Sequence, residues 1–133
     1  MTKTNHYMTA LAVLVTLAAL TALTMVAVAG NAEAATKART TLTIQAEGVD
    51  LSGKVKSSRL RCLGNRTVKV YKQMGTVQSP QTDPVIASDI SERQGDIGLW
   101  SVGNTGREGK FYARTRGTLE CTGATSTTIV ARR

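Results

Sequence analysis

Hydrophobic positions fall along this chain in two regimes. Residues 11–28 form an uncharged apolar run, diluted only by Thr16, Thr21 and Thr24. Beyond residue 40 the pattern becomes alternation, the two-residue period of a strand with one buried face. Thr41-Leu42-Thr43-Ile44-Gln45-Ala46 is apolar at every second place, Glu47-Gly48-Val49-Asp50 predicts a turn, and residues 51–57 alternate again. Leu60-Arg61-Cys62 and a turn at Leu63-Gly64-Asn65-Arg66 lead into Thr67-Val68-Lys69-Val70-Tyr71-Lys72-Gln73. That segment is the clearest strand, β-branched as well as alternating.

Breakers divide the remainder. Gly75, Ser79, Pro80, Asp83 and Pro84 make residues 74–84 a loop, and residues 85–88 predict a short edge strand. Residues 89–96 read as turn, 97–102 as strand, 103–106 as turn, 110–116 as strand and 126–131 as the last strand. About seven short strands at this spacing, with no sustained helical stripe after residue 35, predict an all-β sandwich or barrel.

The first regime reads as an address. Lys3 precedes the apolar run, and small residues crowd Ala29-Gly30-Asn31-Ala32-Glu33-Ala34-Ala35 after it. Basic start, apolar middle and A-x-A exit are the layout of a secretory signal peptide, cleaved after Ala34, with cleavage before Gly30 as second choice. The alternative is retention as an N-terminal membrane anchor, since the run approaches the length of a bilayer span. The expected organisation is therefore signal peptide 1–34, flexible arm 35–40 and sandwich domain 41–133, secreted into an oxidising compartment. The membrane is then a partner only through the signal segment before cleavage.

Composition narrows the chemistry. Seventeen Lys and Arg against nine Asp and Glu give a net charge of +8, and losing Lys3 with Glu33 leaves that balance unchanged. The single histidine, His6, lies in the signal segment. The remaining domain then lacks the base of a Ser-His-Asp or Cys-His pair, and two cysteines do not make a four-ligand zinc site. The expectation is a protein that is not an enzyme, with no catalytic residues, no metal and no cofactor. Cys62 and Cys121, one pair without C-x-x-C spacing in an exported chain, are expected to form a structural disulfide. Closing so long a loop restricts the unfolded chain by about 4 kcal/mol on a chain-entropy estimate.

Gly53-Lys54-Val55, Val68-Lys69-Val70-Tyr71, Ser88-Asp89 with Gly95-Asp96-Ile97-Gly98-Leu99-Trp100-Ser101-Val102, and Gly109-Lys110-Phe111-Tyr112-Ala113-Arg114 follow one another in an order with a known counterpart. The chain resembles the prealbumin-like (transthyretin-like, Ig-like) sandwiches called carboxypeptidase regulatory-like domains. More narrowly, it is similar to small exported bacterial proteins of that fold, mostly actinobacterial. The resemblance implies a seven-stranded sandwich serving as an accessory or adhesion module. It carries no catalytic residue to map, and residues 74–84 are longer than the family's pattern.

If Val55, Val68, Val70, Phe111 and Ala113 face inward, then Lys54, Lys56, Lys69, Arg114 and Arg116 face outward, with Tyr71 and Tyr112 among them. Cations beside aromatics on a sheet face make a candidate site for polyanions such as anionic envelope polymers, without specificity for nucleic acid. The plainer reading is a solvated face that keeps sheets from aggregating. Asp89, Glu92 and Asp96 match no EF-hand spacing and read as turn residues. Trp100 reads as core. The leading expectation is a secreted binding or adhesion module. Its rival is a secreted inhibitor or effector that engages an extracellular protein through its loops.

Overall fold

The computed structural model describes residues 36–133. The predicted signal segment lies outside them, as does Ala35. Two five-stranded sheets, antiparallel throughout, face each other. The first contains β1 (Thr40–Leu42), β2 (Gln45–Glu47), β3 (Asp50–Ser57), β6 (Glu92–Gln94) and β7 (Ile97–Asn104). Its order is β1-β3-β7-β6, with β2 also on β3. The second contains β4 (Thr67–Lys72), β5 (Val85–Ile90), β8 (Gly109–Thr115), β9 (Ala124–Thr125) and β10 (Ile129–Ala131). Its order is β10-β8-β4-β5, with β9 also on β8.

Alternation in the sequence becomes the core. Leu42, Ile44, Leu51, Val55 and Trp100 project from the first sheet onto Val68, Val70, Phe111, Ala113 and Ala131 of the second. All five residues assigned inward from their spacing are fully buried. Trp100 is core, as its neighbours predicted.

Ten strands among the described residues correct the expected seven, and the reasons are local. Residues 41–46, read as one strand, split because the Thr43 hydroxyl replaces its own carbonyl in the ladder: it accepts from the Lys54 N–H at 3.0 Å. The displaced Thr43 carbonyl then lies over Gly53, where a Cβ would come within 2.0 Å of it. The last predicted strand, 126–131, shortens to β10, and β9 lies just before it in residues assigned to no strand; between the two the Ser126 hydroxyl acts as Thr43 does, accepting from the Ala113 N–H at 2.9 Å. A side-chain hydroxyl competing for a backbone partner breaks a strand without breaking its apolar pattern. The remaining strand, β6, lies inside the segment read as turn. Glu92, Arg93 and Gln94 are exposed on both faces of an edge, so no alternation marks them. Asp89 also belongs to a strand, β5, and its carboxylate accepts from the Ser101 N–H at 2.7 Å on the exposed edge of β7.

The arm predicted at 35–40 is not loose from Ala38 onward. Ala38 is buried, donates from N–H to the Glu120 carbonyl at 2.7 Å and accepts from the Thr122 N–H at 2.9 Å. Thr40 begins β1. These bonds tie the β1 edge of the first sheet to the segment leading into β9, covering what would be open strand edges.

Cys62 and Cys121 form a disulfide, Cα to Cα 5.8 Å, with no free cysteine among the described residues. It links the 3-10 turn Leu60–Cys62 to the connection between β8 and β9. No helix among the described residues is long and apolar enough to cross a membrane.

Candidate functional site

Sequence spacing nominated five cations, and the fold divides them. Lys54 and Lys56 lie on β3, on the outer face of the first sheet. Lys54 borders a shallow depression that also contains Asp89 and Glu92, so acid and base mix there. Lys69 and Arg114 lie on the outer face of the second sheet, directly opposite each other on β4 and β8. Arg116 follows two residues beyond Arg114. These three line one cleft of about 580 Å³.

The cleft is built from both ends of the sheet. Its floor is the outer face of β4 and β8, through Lys69, Tyr71 and Arg114. One wall is the 74–84 loop, contributing Pro80 and Gln81; the far end is Asn65, Arg66 and residues 116–118. Among the described residues, no carboxylate lines it. The ion pair among the described residues is Arg61 with Glu120, elsewhere on the surface, so Lys69, Arg114 and Arg116 have no carboxylate partner there.

The loop forms a wall because one carboxylate pins it to the sheet. Asp83 is buried and accepts from the Met74 N–H at 3.0 Å, the Ser79 N–H at 2.8 Å and the Tyr112 hydroxyl at 2.9 Å. The two backbone N–H groups, Met74 first, with the Tyr112 hydroxyl, outweigh burial and hold this carboxyl below the usual range. Burial, then the hydrogen bond to Asp83 and that carboxylate's charge, push the ionisation of Tyr112 well above the ordinary tyrosine value. Gln78 extends the clamp, its side-chain amide donating to the Ser126 carbonyl and the Thr128 hydroxyl at 3.0 and 2.9 Å.

Tyr71 and Tyr112 therefore correct the expectation of exposed aromatics beside the cations. Both sit on the outer face, as their spacing required. They stack on each other at 5.1 Å between ring centres and are buried. Among the described residues, no exposed aromatic platform accompanies the cations in this cleft.

Arg66 is the residue that sequence reasoning missed most completely. Buried at 3% exposure, it donates to the Cys62 carbonyl and the Thr40 hydroxyl at 3.4 Å each. Its other guanidinium nitrogen reaches the carbonyls of Arg116 at 2.7 Å and Thr122 at 3.1 Å. The planar fork joins Cys62 to Arg116 and Thr122, which flank Cys121 in sequence, and fixes the backbone of Arg116, a cation of the cleft. Burial lowers its pKa from the ordinary arginine value. An arginine inside a Gly-Asn-Arg turn reads as a surface charge, and no sequence signal marks it otherwise.

No family model matches the sequence, and no curated protein matches it. Among solved structures the chain is similar to an uncharacterized protein from Bacillus anthracis str. Ames, with 9% identity over 66% of this chain and 75% of that one and a TM-score of 0.48.

Proposed function

We propose that this chain is an exported, non-catalytic module with a prealbumin-like sandwich that binds anionic polymers at or outside the cell envelope. The carrying observation is that Lys69, Arg114 and Arg116 converge on one cleft that no carboxylate of the described residues lines. Cross-strand like charges destabilise a sheet when left alone, so their pairing here favours an anionic partner. The formed disulfide supports an oxidising destination. Loops and strand ends on a rigid sandwich are a usual place for recognition.

Salt-gradient elution of the exported protein from a polyanion column tests the reading. K69Q/R114Q/R116Q is expected to lose most retention, while K54Q/K56Q keeps most of it. Equal loss from both variants, charge for charge, would mean diffuse attraction and overturn the cleft.

A second reading, an inhibitor or effector of an extracellular protein, draws on Met74 and Val77, 69% and 72% exposed on the 74–84 loop. Binding to one protein that salt does not weaken, and that M74S/V77S abolishes, would favour it.

A further inference from the structure

We infer that the disulfide end of the domain docks on the surface of an anionic lipid bilayer. Lys37, Arg39, Arg59, Leu60 and Leu119 make the contact, and none of them lines the cleft described above. Three observations carry it.

Two leucines protrude at this end. Leu119 is 91% exposed and Leu60 53%. Each lies two residues before one half of the disulfide, whose Cα atoms are 5.8 Å apart. Their own Cα atoms are therefore within about 20 Å of each other. The turn that carries Leu119 does not need it: the Thr118 N–H bonds the Cys121 carbonyl, and the Thr118 hydroxyl accepts from the Cys121 N–H at 3.1 Å. Either leucine alone would be ordinary surface.

Their setting is cationic. Residues 36–39, 59–62 and 118–122 hold Lys37, Arg39, Arg59 and Arg61, all exposed, against one carboxylate, Glu120. Ala38 packs on Cys62 and Cys121, which brings Lys37 and Arg39 to the disulfide. The Arg59 guanidinium donates to the Thr36 carbonyl at 3.3 Å. Glu120 pairs with Arg61, so Lys37, Arg39 and Arg59 have no carboxylate partner among the described residues. Basic side chains around protruding apolar ones match a bilayer with negative headgroups over an apolar interior. A hydrophilic polyanion would satisfy the charges and leave both leucines in water.

The chain also enters the domain here. Thr36 is the first described residue, and eight residue steps separate it from Val28, the last of the apolar run. Eight steps reach about 28 Å at full extension. A run lodged in a bilayer therefore keeps Thr36, and the disulfide end with it, within that reach of the lipid.

Sedimentation of the exported protein with vesicles of phosphatidylglycerol and phosphatidylcholine, and with phosphatidylcholine alone, tests this. Binding is expected to the anionic vesicles only. L60S/L119S keeps every charge and should weaken it about tenfold, the worth of about two methylene groups withdrawn from the bilayer. Its elution from a polyanion column should not change. K37Q/R39Q/R59Q should weaken vesicle binding about a hundredfold. An unchanged near-UV circular dichroism spectrum would show that both variants are folded. L119W alters a side chain almost wholly in solvent and should gain a blue-shifted emission component on anionic vesicles. No vesicle binding, no emission shift, or binding that L60S/L119S leaves unchanged would overturn the inference without touching the cleft. Equal binding to neutral vesicles, unmoved by either variant, would assign attachment to the apolar run and overturn it too. Self-association without lipid, lost in L119S by sedimentation velocity, would give the leucines to a second copy of the chain instead.

Discussion

Glycines and hydroxyls set the details of this sandwich where hydrophobic pattern is silent. A Cβ on Gly98 would lie 1.9 Å from the Leu63 carbonyl oxygen and 3.2 Å from the Val55 Cβ. The obstruction is backbone, which does not move aside as a flexible side chain does. Leu63 is fully buried and follows Cys62 of the disulfide directly in sequence. Gly98→Ala is therefore expected to destabilise the domain by about 1–3 kcal/mol, the range for overpacking a filled core. Urea unfolding at constant m-value measures it. Gly75→Ala is the contrast: its Cβ would meet nothing nearer than the Val77 carbonyl at 3.9 Å, and the midpoint should stay almost unchanged.

Among the connections, the 74–84 loop is the one whose placement creates the candidate site. Its composition of breakers predicts a loop, and nothing in that composition says where the loop lies. Asp83 decides it by bonding Met74 and Ser79 within the loop and Tyr112 on β8. The folded carboxyl ionises below its unfolded value of about 3.9, so its contribution is complete above that pH and is lost as acid brings pH down through the folded value. Stability measured between neutral pH and pH 2 should fall on this limb, and Asp83→Asn should flatten it. The same variant should speed amide exchange at Met74 and Ser79 while leaving β3 and β7 protected. Undiminished protection at both amides would show that the loop is held by other contacts. Tyr112 has the opposite sign. Its folded ionisation lies above its unfolded value of about 10, so stability declines as pH rises past that point.

For the domain as one unit, the disulfide and Arg66 act on the same end. The covalent bond joins residues 59 apart in sequence, and Arg66 hydrogen-bonds the carbonyls of Cys62, Arg116 and Thr122 around it. Replacing both cysteines by alanine is expected to lower stability by about 4 kcal/mol on the chain-entropy estimate. Against the roughly 5–15 kcal/mol typical of a domain, that is a large share. Equilibrium urea unfolding of the double variant beside the oxidised protein checks it. A difference under about 1 kcal/mol would mean that the cross-link does not limit the unfolded chain.

The period of two settled which side chains are buried. Val55, Val68, Val70, Phe111 and Ala113 lie inward because a strand has only two faces and the polar residues between them occupy the other. An isolated cysteine pair likewise marked the cross-link. Alternation assigns a face without saying what lies over it or which strand lies beside it. Tyr71 and Tyr112 pointed outward as their positions required, yet a loop anchored at Asp83 covers them. Lys54 and Lys69 had equivalent outward positions, and strand order put them on different sheets. Lys69, Arg114 and Arg116 meet because β4 and β8, with more than thirty intervening residues, pair in one register. Contacts between distant segments depend on sheet order and loop path, and a local hydrophobic period records neither.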